Sequence, residues 1–118
     1  MEQYHDVVKK LCHRAVNTRF EDLKPNEING AKRSILDAVG VMLAGSSLGY
    51  KCLDVVKYVQ DKGGKEESTL LGFGGKYPAA MAAMANASVA HTLDFDDASE
   101  NQCHPTAASL PAAFALLE

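Results

Sequence analysis

The sequence lacks an apolar run long enough to cross a membrane. Its longest such run, Ala38–Gly45, is far shorter than the roughly 20 residues that a spanning helix needs. The N-terminal segment MEQYHDVVKKLCHR carries charges throughout, so it lacks the apolar stretch that a signal peptide contains. We therefore expect no membrane association and no secretory leader.

Cysteine is scarce, and basic residues form no block. Cys12, Cys52 and Cys103 are odd in number, widely spaced and without a C-x-x-C pattern, which argues against a disulfide or zinc framework. No basic run is longer than two residues, as at Lys32–Arg33, and the net charge is −3, so the sequence has no basic patch of the kind that nucleic-acid binding requires. We expect a reduced, cytoplasmic protein that binds no nucleic acid.

Helical periodicity dominates the chain, whose 118 residues fit one domain with a real core. Apolar spacing, prolines and glycines predict helices over about residues 4–17, 25–45, 50–62, 78–92 and 106–117, with one strand-like stretch at 68–71. The expected fold class is an all-α helical bundle. Its core would come from the second, fourth and fifth helices, with Ala85 and Ala112 buried between them.

The chain stops at PAAFALLE, while the apolar helical pattern is still running. Helices usually end with a glycine, a cap or polar residues. We expect either a segment of a longer protein or a last helix that a partner covers.

Ionisable residues concentrate in two neighbouring motifs, HTLDFDD at His91–Asp97 and CHP at Cys103–Pro105. Alanine-rich, apolar sequence lies on both sides. Because charged groups are costly to bury unless they are paired or used, a loop of carboxylates and imidazoles between buried helices points to proton chemistry.

Spacing suggests roles within these motifs. If the fourth helix continues, His91, Asp94 and Asp97 share one face, and Asp94 lies at the buried end of the helix. His104 precedes Pro105, which favours an extended backbone at the approach to the last helix. Asp94 and His104 are thus the candidate proton-transfer pair. The alternatives are a solvated acidic turn, a carboxylate that only caps a helix, and a His91 that serves packing.

Other chemistries fit less well. Cys103 and His104 are adjacent in an extended segment, so their side chains point apart and a nucleophilic thiol is not expected. The stretch DFDDAS departs from a calcium loop at Ala98 and Ser99. Asp96–Glu100 matches the D-D-x-x-E form that holds magnesium and diphosphate, but no Lys or Arg follows it. We expect no metal.

The same segments resemble the MmgE/PrpD family, which includes 2-methylcitrate dehydratase and cis-aconitate decarboxylase. The likeness covers nearly the whole chain: FEDLKPNEINGAKRSILDAVGVMLAGS, then ESTLLG, then the alanine-rich helix into HTLDFDD, then HPTAASLPAAFALLE. The order and spacing of HxLDFDD…HP behind ILDxxGVxLAG make the pattern specific.

The resemblance implies a lyase that needs no metal or organic cofactor and works as a homodimer. Such proteins have a large helical domain and a smaller α/β lid, with a site for small polycarboxylates between them. Residues 1–118 would be one partial helical domain, without the lid and the remainder of the helical domain. Asp94 and His104 match two catalytic residues, and we assign His91 and Asp97 to substrate binding. We expect a homo-oligomer or association with the missing remainder.

Two departures from the family pattern carry consequences. Ala98 stands where the family often has Thr, so a hydroxyl that could contact substrate is missing, and we expect the substrate to differ from methylcitrate or cis-aconitate. The later active-site residues lie beyond this chain, so we expect the isolated chain to be inactive. The alternative function is a non-catalytic helical fragment or a partner-binding module of the same fold.

Overall fold

The computed structural model describes residues 2–99 and 103–118, with side chains from Asp6 onward. Five helices and a small hairpin follow in order, and they confirm the all-α class: α1 Glu2–Asn17, α2 Pro25–Leu48, α3 Leu53–Lys62, β1 Ser68–Thr69, β2 Lys76–Tyr77, α4 Ala79–His91 and α5 Pro105–Leu117, with a 3₁₀ turn at Phe20–Asp22. Glu100 of the D-D-x-x-E match and the Tyr4 side chain lie outside the described residues.

The chain divides into two compact units, Met1–Ala31 and Lys32–Glu118. In the first, side-chain carboxylates organise the start of two elements. Asp22 accepts a hydrogen bond from the Arg19 backbone N–H at 2.9 Å, and Glu27 accepts one from the Lys24 N–H at 2.7 Å. These bonds satisfy backbone donors that helix starts leave unpaired.

The second unit contains the main hydrophobic cluster. Its buried members come from α2, α3, α4, α5 and the segment after β1: Ala38, Met42, Cys52, Val56, Val59, Leu70, Ala85, Val89, Ala90 and Ala107. Alanines dominate the α4–α5 contact, so these two helices pack closely. The predicted burial of Ala85 is confirmed, since it is fully buried, but the same prediction for Ala112 is wrong. The buried positions of α5 are instead Ala107, Pro111 and Ala115.

Gly45 allows α2 to approach α4. A Cβ atom added to Gly45 would lie 2.5 Å from the carbonyl oxygen of Val89, which no real side chain tolerates. Gly40, on the same helix, has no such contact, since a Cβ atom added there would meet nothing within 4 Å. The position of the close contact depends on which face of α2 meets α4, and the apolar periodicity of the sequence does not determine that face.

Of the two strands of the hairpin, the sequence predicted β1 but not β2. Ser68 pairs with Tyr77 and Thr69 with Lys76 in antiparallel register, so β2 lies in the stretch that composition assigned to turns. The buried Asn86 of α4 joins the hairpin to the core: its Oδ1 accepts from the Leu71 N–H at 2.9 Å, and its Nδ2 donates to the Thr69 carbonyl at 2.9 Å.

Helix boundaries differ from expectation by a few residues where turns intervene. α2 runs three residues past Gly45 to Leu48, and α3 begins at Leu53 rather than near Tyr50. Within the described ranges, no single helix is long and apolar enough to span a membrane, while α2 and α3 together, bent by 90°, pass that test on length and composition.

Candidate active site

The loop after α4 begins with a backbone reversal. α4 ends at His91, and Asp94 has φ of 53°, in the left-handed region that Asp tolerates better than most residues. The Asp94 N–H donates to the His91 carbonyl at 3.1 Å and closes the turn. The helix ends close to the predicted position, so the condition for a shared helical face and a buried Asp94 is not met, and the Asp94 side chain is 81% exposed.

Asp96 is the buried centre of the loop. Its side chain is 1% exposed, and its two oxygens lie 3.1 and 3.3 Å from Nδ1 of His91. Asp96 Oδ2 also lies 3.3 Å from Nδ1 of His104. A buried carboxylate needs donors, and here two imidazoles surround one carboxylate. Asp96 thereby connects the end of α4 to the start of α5.

Asp97 organises the start of α5. Its Oδ1 accepts from the Thr106 backbone N–H at 3.1 Å, and its Oδ2 accepts from the Thr106 hydroxyl at 2.6 Å. Pro105 occupies the first turn, and His104 is the residue immediately before the helix. Thr106 donates both of these hydrogen bonds, so the Asp97 carboxylate satisfies a backbone N–H in the first turn of α5. Asp97 thus fixes the backbone that carries His104.

His104 meets the exposed Asp94 on its other side. The His104 Nε2 atom lies 3.7 Å from Asp94 Oδ1. The rings of His91 and His104 have centroids 4.7 Å apart with an interplanar angle of 60°. The fold therefore brings three of the four sequence-predicted site residues together, namely His91, Asp94 and His104. The fourth, Asp97, directs both carboxylate oxygens to α5.

Two open pockets meet at His91. One, of about 330 Å³, lies between α4 and α5, where His91 and His104 are its polar residues and the remaining lining is alanine (Ala87, Ala107, Ala108). The other, of about 370 Å³, is lined by Lys51, Cys52, Ser88, His91, Thr92 and Asp94. Both volumes fall in the range of small-ligand sites.

Sequence reasoning missed Asp96 and Lys51. The sequence offers Asp96 as a helix cap or as part of the D-D-x-x-E match but not as the buried centre of the site, because nothing in a run of acidic residues tells which one is buried. Lys51 precedes the motif by 40 positions, and the chain contains no Lys or Arg after Lys76, so the loop was expected to have no basic neighbour besides its own histidines. The turn between α2 and α3 instead places Lys51 in the pocket with His91 and Asp94.

Comparison with known proteins identifies a family model and curated relatives that match the sequence. The family model of the MmgE/PrpD N-terminal domain matches residues 9–118. Two curated relatives, cis-aconitate decarboxylase of Aspergillus terreus and of its strain NIH 2624 / FGSC A1156, are each 30% identical over 116 residues. The match covers 95% of this chain but 23% of each relative, so the chain spans under a quarter of their length. The chain belongs to the MmgE/PrpD family and carries its N-terminal domain.

Proposed function

We propose that this chain is the N-terminal segment of a lyase of the dehydratase or decarboxylase type. Its substrate would be a small di- or tricarboxylic acid. One observation carries the proposal: His104, which contacts a buried carboxylate, lies 3.7 Å from the exposed Asp94 at the edge of open pockets. A neighbouring acid and base that are both open to a ligand are the groups that proton transfer needs.

The chemistry requires one proton donor and one proton acceptor. In a dehydration, a base removes the proton alpha to a carboxylate, and the hydroxyl group leaves as water with a proton from an acid. In a decarboxylation, the carbon–carbon bond breaks, CO₂ departs, and an acid protonates the carbon that keeps the electron pair. Asp94 and His104 are the proposed pair for either reaction.

Neighbouring residues would bind and orient. Asp96 contacts Nδ1 of His91 at hydrogen-bond distance and lies 3.3 Å from Nδ1 of His104, so it is proposed as a positioning residue. Lys51 provides a cation for a substrate carboxylate in the pocket it shares with His91. A role for His91 in substrate binding fits its place in both pockets. For Asp97 the same role is the weaker proposal, because Thr106 uses both of its oxygens.

Because Asp94 is exposed, we infer that additional protein segments enclose the site in the functional protein. Lyase chemistry gains from excluding water and from converging charged groups, and Asp94 is 81% exposed here. We propose that the remainder of a family-length protein, or a second copy in a homo-oligomer, covers this face. A cytoplasmic location is part of the same proposal, because the three cysteines show no disulfide or zinc-framework spacing.

The test is a fusion of residues 1–118 to the segment of the Aspergillus terreus enzyme that follows the matched region. The fusion is assayed with a panel of di- and tricarboxylic acids for CO₂ release and for formation of a new carbon–carbon double bond by ultraviolet absorbance. The intact Aspergillus enzyme is the positive control. An Ala98→Thr fusion, which adds the missing hydroxyl, tests substrate preference.

Saturable turnover of at least one acid is the expected result. A fusion with a cooperative thermal transition and no turnover of any acid would overturn the lyase proposal. That outcome would favour the alternative, a non-catalytic helical module.

A further inference from the structure

Four side chains converge on one point at the α4–α5 end of the second unit. One nitrogen or oxygen atom from each of His91, Asp94, Asp96 and His104 lies within 4.8 Å of the other three. Three interatomic separations in this group are shorter: 3.1 Å from His91 Nδ1 to Asp96 Oδ1, 3.3 Å from His104 Nδ1 to Asp96 Oδ2, and 3.7 Å from His104 Nε2 to Asp94 Oδ1.

These separations resemble those around a tetrahedral metal ion. Zinc bonds to His nitrogen and carboxylate oxygen are about 2.0–2.2 Å, which places neighbouring ligand atoms about 3.3–3.5 Å apart. With Oδ2 as the ligand atom of Asp96, the Nδ1 atoms of His91 and His104 each lie 3.3 Å from it, which matches this spacing. The 3.7 Å separation from Asp94 involves Nε2, the other nitrogen of the His104 ring, so Asp94 must turn toward Nδ1 to join the same ion. The most distant pair, at up to 4.8 Å, must close by about 1.3 Å. Asp94 and His91 are 81% and 54% exposed, so their side chains have room to rotate.

We propose that His91, Asp94, Asp96 and His104 bind one divalent transition-metal ion of the zinc type. Two imidazoles among the four ligands favour such an ion over magnesium or calcium, which prefer oxygen. The charges also fit, because two carboxylates and two neutral imidazoles compensate one divalent cation.

The surroundings of His104 add an independent indication. Its Nδ1 atom is shielded from solvent, and although Asp96 lies at 3.3 Å, the two atoms do not meet hydrogen-bond geometry. Among the described residues this nitrogen has no hydrogen-bond partner. A buried polar atom without a partner is costly, and metal ligation would satisfy it.

This site rests on geometry alone and not on the proposed lyase reaction. The resemblance to the family implies a reaction that needs no metal. An ion held here would occupy the same two side chains, Asp94 and His104, that are proposed for proton transfer, so it would compete with that chemistry and would not assist it.

The experiment titrates the metal-stripped 118-residue chain with ZnCl₂ by calorimetry, and with Co²⁺ by visible absorption. We expect one ion per chain, the intense bands of four-coordinate Co²⁺, and no response to Mg²⁺. In imidazole NMR spectra of the unsubstituted chain, Zn²⁺ should shift the His91 and His104 resonances and leave those of His13 unchanged. This spectrum requires no variant to fold.

His91→Ala and His104→Ala should each weaken Zn²⁺ binding ~10-fold or more. His13→Ala, in α1, and Cys103→Ser are the matched controls for a distant imidazole and for the neighbouring thiol, and both should bind as tightly as the wild type. Binding that survives both site variants, or that the Cys103→Ser change abolishes, would overturn the assignment. Absence of Zn²⁺ binding in the unsubstituted chain would overturn it equally.

Discussion

Asp97→Ala tests whether this carboxylate holds the start of α5. The side chain accepts two hydrogen bonds from Thr106, one at 3.1 Å from the backbone and one at 2.6 Å from the hydroxyl. Loss of a carboxylate at a helix N-terminus costs about 0.5–2 kcal/mol. Because two bonds are lost and both residues are half-buried, we expect the upper part of that range, about 1–2 kcal/mol. For a domain of this size, the melting temperature should fall by about 3–10 °C.

The assay is thermal and urea unfolding followed by circular dichroism. Asp61→Ala is the matched control, since Asp61 is an exposed carboxylate on α3, and it should change stability by less than about 0.5 kcal/mol. If Asp97→Ala is as stable as this control, Asp97 does not organise α5, and its two oxygens are available for the substrate-binding role that the sequence suggested.

Three further predictions address the core, the hairpin and the isolated chain. Ala85→Phe should overpack the fully buried α4 position and cost roughly 1–3 kcal/mol or more, whereas Ala112→Phe on the exposed face should leave the melting temperature unchanged; equal melting of the two variants would contradict the core assignment. Hydrogen bonds from Lys76 and Thr69 lower the pKa of Glu118 from 4.5 to about 2, so its ionised form contributes stability that is present above pH 4.5 and lost as pH falls toward 2. Wild type should therefore be more stable than Glu118→Gln at neutral pH, with the two curves converging near pH 2 in a pH series of thermal melts; a pH-independent difference would contradict this. The isolated chain should neither turn over nor saturably bind cis-aconitate or 2-methylcitrate in turnover assays and calorimetry at neutral pH, because water remains in contact with the site; saturable turnover would show that the exposed Asp94 needs no covering domain.

The sequence predicted the helices because each depends on local information. Apolar spacing and prolines located α4 and α5 to within one residue at each end. Burial within those helices was less predictable. Ala85 and Ala112 have the same small side chain and similar apolar neighbours, but only contacts between helices decide which of them faces inward.

In the candidate site, too, the features that depend on local sequence were predictable, and those that depend on contacts between distant segments were not. Asp94 and His104 were identified from their motifs, and the structure brings them together. The left-handed backbone at Asp94 and the burial of Asp96 were missed, because both arise where the loop closes against α5. Lys51 was missed for a similar reason: its approach to His91 depends on a turn 40 residues earlier in the chain.

The most direct test of the central claim compares kcat among variants of the fusion to the Aspergillus terreus segment, with the acid that it turns over fastest as substrate. Asp94→Asn and His104→Ala should each lower kcat by roughly 10²-fold or more, because each removes one member of the proton-transfer pair. Asp61→Asn, an exposed carboxylate on α3, should leave kcat unchanged. Near-wild-type kcat in both site variants would contradict the account.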